Sequence, residues 1–139
     1  MTPESIEKFF DEYAAAFSRR DVREISRLWK LPAFITTQAR SVCFTDADEF
    51  RRNLEDQCAF YVRQGLAQAK KTIVNISGLS NDVALVTTWD ELFDASGKHI
   101  AQWQHAYLVR ETKAGIRAIA AVADRESTAW NAEDPPLRG

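Results

Sequence analysis

The sequence predicts an α+β fold in which a strongly curved antiparallel sheet wraps around three N-terminal helices. Three runs before residue 65 carry apolar residues at helical spacing, and the chain beyond residue 65 has the pattern of extended strands. One alternating run, "HIAQWQHAYLVRE" at 99–111, would span about 43 Å if it were straight at roughly 3.3 Å per residue. A chain of 139 residues cannot enclose so long a flat strand, so the sheet must curl. A curled sheet half covered by helices encloses a cone.

The chain length favours one domain, expected over residues 1–124, with a flexible tail over 125–139 in which Trp130 packs on the body or on a second subunit. The formal net charge of −2 offers no basic surface for nucleic acid. No apolar run approaches the roughly 20 residues of a membrane span, so we expect no membrane partner. The N-terminus lacks the charged start and apolar middle of a signal peptide, which predicts a cytoplasmic protein.

The first two helices are indicated by their caps and their apolar stripes. Ser5 is the predicted N-cap of the first helix. Asp21, with Glu24 three residues later, starts a short second helix, and Pro32 ends it because the residue before a proline avoids helical geometry. The predicted buried stripes are Ile6, Phe9, Phe10, Tyr13, Ala14 and Phe17 in the first helix and Val22, Ile25, Leu28 and Trp29 in the second.

Short strands and a third helix follow. "AFITTQARSVCF" predicts two short strands around "QARS", since β-branched residues favour strands. The third helix runs from Thr45 to Gly65, with acidic residues near its positive end. Four longer strands, joined by the turns "SNDV", "ASGK" and "TKAG", then predict an antiparallel meander.

This order of elements resembles the NTF2-like superfamily, which has a cystatin-like cone and includes the SnoaL-like cyclases and the ketosteroid isomerases. The resemblance covers nearly the whole chain before the tail, and rests on "FFDEYAAAFSRRDVREISRLW", "FTDADEFRRNL" and "LFDASGKHIAQWQHAYLVRETKAGIRAI". It implies a conical pocket between the bent sheet and the helices. It also implies a homodimer formed through the outer face of the sheet.

Ketosteroid isomerases use a tyrosine and a protonated aspartate as an oxyanion hole, and a second aspartate as base. By this resemblance the tyrosine position falls on Tyr13, the base position on Thr37, and the protonated aspartate on His105 or Tyr107. Both acids are therefore replaced. A threonine hydroxyl holds its proton too tightly to act as a base near neutral pH, which argues against the usual steroid isomerase chemistry and leaves the cavity as a hypothesis.

The candidate catalytic residues are His105, Tyr13 and Tyr107. His105 shares one strand face with Trp103 and Tyr107, and its unperturbed pKa of roughly 6.5 allows proton exchange at cellular pH. The two tyrosines could donate hydrogen bonds to a ligand oxygen. The alternative is a histidine tied to a neighbour and core tyrosines bonded to backbone or solvent.

The candidate ligand-binding residues are mostly aromatic, suited to stacking on a flat or apolar molecule; they are Trp103, Trp89, Phe17, Thr37 and Tyr61. Trp29 and Phe34 are assigned to the core instead. Glu91 beside Trp89 could be a carboxylic acid with a raised pKa, but the acids of this strand, Asp90 and Glu91, are expected to meet water or to pair with Arg110 or Lys98. The lysines at 70–71 are expected to be solvated.

Neither a metal nor a cofactor is expected. Two histidines, His99 and His105, would lie about 20 Å apart along one strand, too far to share an ion. The two cysteines, Cys43 and Cys58, form no CxxC or Cys/His pattern, so we expect free thiols.

Three functions therefore stay open. The first is a cofactor-free isomerase, cyclase or lyase acting on a small, largely apolar or aromatic molecule in the cone. The second binds such a molecule without chemistry. The third is a dimeric interaction module whose pocket is filled by its own side chains. Homodimerisation is expected through the outer strand face, which carries Ile100, Gln102, Gln104, Ala106 and Leu108.

Overall fold

The α+β class is confirmed by a computed structural model, which describes residues 1–130. Four helices and six strands follow one another along these residues. They are α1 Pro3–Ser18, α2 Val22–Arg27, β1 Trp29–Thr36, β2 Ser41–Phe44, α3 Ala47–Arg63, β3 Gln68–Gly78, β4 Val83–Phe93, β5 His99–Thr112, β6 Gly115–Val122 and α4 Asp124–Ala129.

Helix α1 begins earlier than the sequence pattern indicated. Thr2, not Ser5, is the N-cap, and the two residues form a capping box in which the Thr2 hydroxyl accepts from the Ser5 amide at 3.1 Å. Pro3 fits the first helical position because the missing N–H has no intrahelical acceptor there. The predicted apolar stripe of this helix is buried.

Helix α2 is shorter than predicted, because Trp29 already belongs to β1. The prediction that Trp29 lies on a helical stripe and that Pro32 ends the helix was wrong. Trp29 pairs in parallel with Ala118 of β6, and the pairing of the two strands is interrupted between Trp29 and Phe34. Pro32 lies in that interruption, where its missing N–H removes no ladder hydrogen bond.

The sheet has the strand order β2-β1-β6-β5-β4-β3. The predicted meander is confirmed, because β3, β4, β5 and β6 pair antiparallel in sequence order. The parallel contact of β1 with β6 was not predicted. The register shifts in four of the five strand pairings, which bends and twists the strands and makes the sheet curved and unclosed.

The core lies between the concave face of the sheet and helices α1 and α3. Rings from both helices meet there: Phe10 contacts Tyr107 at 5.1 Å between centroids, and Phe50 contacts Trp29 at 5.4 Å. Burying aromatic side chains of this size contributes most of the apolar area removed from water.

The region expected to be a flexible tail forms helix α4 at its start, and Trp130 directly after it is buried in the core cluster. Sequence periodicity could not indicate a helix of 6 residues. The expectation for residues 131–139 lies outside the described residues.

Candidate functional site

The concave wall of the sheet carries a polar cluster inside an aromatic core. Side chains alternate along a strand, so Trp103, His105 and Tyr107 of β5 point inward together and are all at most 4% exposed. On the neighbouring strand, Thr88 and Asp90 of β4 point the same way and are buried as well.

A buried ion pair forms the centre of this cluster. Lys71 Nζ lies 2.5 Å from Asp90 Oδ2, and Thr88 donates its hydroxyl to Asp90 Oδ1 at 2.7 Å. The same ammonium group donates to the Tyr107 hydroxyl at 2.6 Å and lies over the rings of Tyr13 and Tyr107, 5.2 and 4.8 Å from their centroids. One carboxylate and one ammonium therefore share a site walled by phenol rings.

The expectation that the lysines at 70–71 are solvated was wrong for Lys71. The strand pattern of β3 turns Lys70 outward and Lys71 toward the helices, where its side chain is 8% exposed. Two adjacent residues of a strand point to opposite faces, so a charged dipeptide cannot be solvated at both positions when one face is covered.

His105 is tied to its neighbour on the strand. The indole N–H of Trp103 donates to His105 Nδ1 at 2.9 Å, and Asp90 Oδ2 lies 3.9 Å from the same nitrogen. An indole can only donate, so Nδ1 accepts and the neutral ring carries its proton on Nε2. Protonation at Nδ1 would cost the bond to Trp103.

The two inner tyrosines keep their protons. Burial raises the pKa of Tyr13, although a hydrogen bond from the Trp29 indole N–H at 2.9 Å opposes the rise. Burial also raises the pKa of Tyr107 well above its usual value. Desolvation disfavours a phenolate, so both groups are hydroxyl donors or acceptors and not bases at neutral pH.

A small cleft of about 20 Å³ reaches this cluster from the side of α3. That is room for roughly one water molecule. Its lining residues are Phe17, Gln57, Tyr61, Ala69, Lys70, Lys71, Asp90, Leu92 and Trp103. The ion pair thus faces the cleft, while Tyr13, Tyr107 and His105 lie behind it, in contact with the pair.

A second polar cluster borders the same cleft. Glu126 of α4, 1% exposed, accepts at Oε2 from the Tyr61 hydroxyl at 2.7 Å and from the Trp130 indole at 3.1 Å. Gln57 donates to the Tyr61 hydroxyl at 3.2 Å. Tyr61 therefore links α3 to α4 beside the cleft.

Two of the predicted ligand-binding residues lie elsewhere. Trp89 points to the convex face of the sheet and is 37% exposed, because it alternates with Thr88 and Asp90 along β4. Thr37 lies in the turn after β1 and hydrogen-bonds to the backbone of Arg40. Phe34, assigned to the core, is 45% exposed on the convex face.

Sequence reasoning missed Asp90, Lys71 and Glu126. A signal for Asp90 was present in the sequence. Asp90 alternates with Thr88 on one face of β4, and these two residues pair with Trp103 and His105 of β5. Glu91, next to it, instead bonds to His99 Nε2 at 2.6 Å on the more exposed side. Glu126 lay in a segment without periodicity, so nothing in the sequence indicated its burial.

Neither metal nor membrane features emerge from residues 1–130. Within that range, no three His, Cys, Asp or Glu side chains gather closely enough to hold a metal ion. Over the same range, no helix is long and apolar enough to cross a bilayer.

Comparison with protein families gives a match over residues 3–126, to the family described as NTF2-like protein (DUF6841). The chain belongs to this NTF2-like family. Among curated proteins, no sequence matches this NTF2-like chain.

Solved structures share the NTF2-like fold at low sequence identity. An NTF-2 like protein of unknown function from Shewanella oneidensis is 18% identical, with a TM-score of 0.70 over 88% of this chain and 98% of that one. A ketosteroid isomerase-like protein from Erwinia carotovora is 19% identical, with a TM-score of 0.62 over 86% and 92%. A domain of unknown function with a cystatin-like fold from Nostoc punctiforme is 12% identical, with a TM-score of 0.68 over 88% and 77%. These likenesses concern the fold.

Proposed function

We propose that this NTF2-like protein binds a small, largely apolar carbonyl compound in its cone and moves a proton on it without a cofactor. The observation that carries the proposal is the buried pair of Lys71 and Asp90 at the cleft. Replacing a buried ion pair by apolar residues is often neutral or stabilising, so stability alone is a weak reason for such a pair. Charged groups buried in a cleft are typical of sites that perform chemistry.

The two charges have separate roles in abstracting a proton beside a carbonyl group: Asp90 is the base, and Lys71 stabilises the negative charge that forms. The Asp90 carboxylate takes the proton from the carbon next to the carbonyl, and the electron pair of that C–H bond moves onto the carbonyl oxygen. The Lys71 ammonium then stabilises the enolate oxygen, as a preorganised charge in a dry site does most effectively. In a β,γ-unsaturated carbonyl compound, the return of the proton to the γ-carbon shifts the double bond and completes an isomerisation.

The residues behind the cleft act as positioning residues in this proposal. Thr88 fixes one carboxylate oxygen of Asp90 at 2.7 Å, and Tyr107 holds the ammonium at 2.6 Å. Tyr13 supports the Lys71 charge through its ring. His105, fixed by Trp103, places its Nδ1 at 3.9 Å from Oδ2 of Asp90. Phe17, Tyr61 and Trp103 supply apolar contact to the ligand.

The test is deuterium exchange of a cyclic ketone such as 2-tetralone in D₂O, followed by NMR. The wild-type protein should accelerate exchange next to the carbonyl, and Asp90→Asn should reduce the rate at least 100-fold. Glu91→Gln is the matched control, because it removes the neighbouring acid from the opposite face of the strand. Exchange that is equally fast in Asp90→Asn and in Glu91→Gln would refute the role of Asp90.

The small volume of the cleft favours a second function, a non-catalytic module with a self-filled cone. Ligand pockets typically measure 300–1,000 Å³, against about 20 Å³ here. Under this alternative the protein does not accelerate deuterium exchange of any ketone, and no apolar compound shifts its melting temperature. The exchange assay and a thermal-shift screen of the same compounds therefore distinguish the two functions.

We also infer a homodimer through the convex face of the sheet. Phe34, Leu108 and Leu85 lie in one cross-strand row, with Ala120 between the first two. Val122 belongs to the next row on the same face, and Trp89 to the row beyond that. Phe34, Leu85 and Val122 are each more than 40% exposed in the single chain. An apolar patch shared by four strands suits association with a second sheet.

Light scattering tests the dimer. The wild-type mass should be twice the 15.8 kDa of the chain, and Leu85→Lys should shift it to the monomer. Val62→Lys, which adds the same charge at an exposed apolar residue of α3, should leave the mass unchanged. A monomeric wild type at 50 µM, an order-of-magnitude working concentration for stable dimers, would refute the inference.

A further inference from the structure

The side chain of Trp130 fills a site made of aromatic rings from α3 and β5. Its ring lies 5.0 Å from that of Phe60 at 85°, 5.9 Å from Tyr61 at 31° and 6.1 Å from Trp103 at 50°. These are edge-to-face and tilted geometries that aromatic pairs favour. The indole is 6% exposed, although it follows a helix of only 6 residues.

The site also contains groups that can hydrogen-bond to the edge of a bound ring. Glu126 accepts the indole N–H at 3.1 Å. Gln57, 1% exposed, lines the adjoining cleft, and its buried Oε1 accepts no hydrogen bond from the described residues. An acceptor buried without a partner costs free energy, which a ligand donor would recover.

The Trp130 site and the cleft share two walls. Tyr61 and Trp103 line the cleft and also contact the Trp130 ring. Removing the indole would therefore join its volume to the space in front of Lys71 and Asp90. The site that Trp130 fills therefore adjoins the cleft through these two walls.

We propose that the Trp130 indole occupies the subsite of a planar aromatic ligand bearing a ring N–H or hydroxyl donor, which replaces it between Phe60 and Trp103. This proposal rests on the proposed function in placing a ligand in the same cone, and it names the class of that ligand. The Trp130 side chain must turn out of this site when the ligand enters, while Glu126 stays to accept the ligand's donor, so the free protein competes with its own ligand.

Two features of helix α4 bear on how firmly Trp130 is held in place. Its N-cap, Ala123, provides no side-chain hydrogen bond. The bond of 2.7 Å from the Tyr61 hydroxyl to Glu126 ties the helix to α3. Tyr61→Phe removes that bond while keeping the aromatic wall, so it should weaken the hold on Trp130 without enlarging the site.

The probe is indole, with indene as the matched compound that lacks the N–H. Calorimetry and thermal shift should find binding to Trp130→Ala at least 10-fold tighter than to the wild type, because the competing side chain is gone. Tyr61→Phe should bind with intermediate affinity. Indole should bind Trp130→Ala more tightly than indene, since Glu126 accepts its N–H.

The matched control is Trp89→Ala, which deletes an exposed indole from the convex face. It should bind indole no better than the wild type. The proposal is overturned if Trp130→Ala does not bind indole, or if neither the wild type nor Tyr61→Phe binds it at millimolar concentration, since Trp130 would then be permanent core. If Trp130→Ala does not fold, the comparison of Tyr61→Phe with the wild type decides alone.

These measurements are independent of the proton-transfer assay. Indole has no ketone group, so its binding reports the aromatic subsite even in Asp90→Asn. Binding without ketone exchange would refute the proposed chemistry and keep the subsite. Suppose instead that Trp130→Ala leaves the rate of ketone exchange unchanged and that indole does not inhibit the exchange. That result would refute the subsite and keep the chemistry.

Discussion

The ammonium of Lys71 lies 2.5 Å from Oδ2 of Asp90, with side chains that are 8% and 4% exposed. The two residues are register partners of adjacent strands, so the sheet itself sets their distance. Each charge is desolvated, and each is stabilised by the other. Their removal therefore has a different effect singly and together.

Single removal of either charge should destabilise the protein strongly. Lys71→Met and Asp90→Leu should each lower the free energy of unfolding by about 3–5 kcal/mol, because the partner stays buried and unpaired. The double variant should lose much less free energy of unfolding than the sum of the two single variants. Urea unfolding followed by circular dichroism measures this coupling, with Lys70→Met as the exposed neighbouring control. Losses that simply add in the double variant would contradict the coupling.

The inner tyrosines should make the protein sensitive to alkali. The pKa values of Tyr13 and Tyr107 are raised by burial above the ordinary value of 10.0. Above that pH the unfolded state releases phenolic protons that the folded state retains, so the unfolded state binds fewer protons and stability falls as the pH rises. Below pH 10 the contribution is fully present.

Ultraviolet titration of tyrosinate checks this expectation. Tyr13 and Tyr107 should ionise together with alkaline unfolding, and Tyr107→Phe should remove one of these late groups. Complete ionisation of all three tyrosines near pH 10 in a folded protein would contradict it.

The two thiols should differ in reactivity. Cys43 is exposed, whereas burial raises the pKa of the Cys58 thiol to about 11. Thiolate is the reactive form, so at pH 8 a disulfide reagent should modify Cys43 rapidly and Cys58 only as the protein unfolds. Cys43→Ser should abolish the fast phase. Two equal fast phases in the native protein would mean that Cys58 is accessible.

His105 should be a single neutral tautomer. Nitrogen NMR of the imidazole is expected to find the proton on Nε2, because Nδ1 accepts from Trp103 at 2.9 Å. Trp103→Phe removes the donor and should cost about 1–3 kcal/mol of stability, since a buried acceptor is left without it. Trp89→Phe, on the convex face, is the control. A signal from a protonated Nδ1 would rule out this hydrogen bond.

Local spacing determined much of the fold. The stripe from Ile6 to Phe17 indicated α1, and strict alternation indicated β5, because periods of 3.6 and 2 are properties of the backbone. The inward face of Trp103, His105 and Tyr107 followed from the same period. Trp29 was misassigned because its conformation depends on pairing with Ala118, which is distant in sequence.

The sequence by itself determined the curved sheet, the helices that cover it and the strand face of Trp103 that they cover. It left open which face of β3 and β4 joins that surface, so Lys71 was expected to be solvated and Asp90 to meet water or to pair with Arg110 or Lys98. Only the tertiary structure decided that Lys71 and Asp90 meet inside, and that Glu126 and Trp130 pack against the walls of the cleft. Periodicity describes neighbours along the chain, whereas these contacts join elements 19 to 65 residues apart.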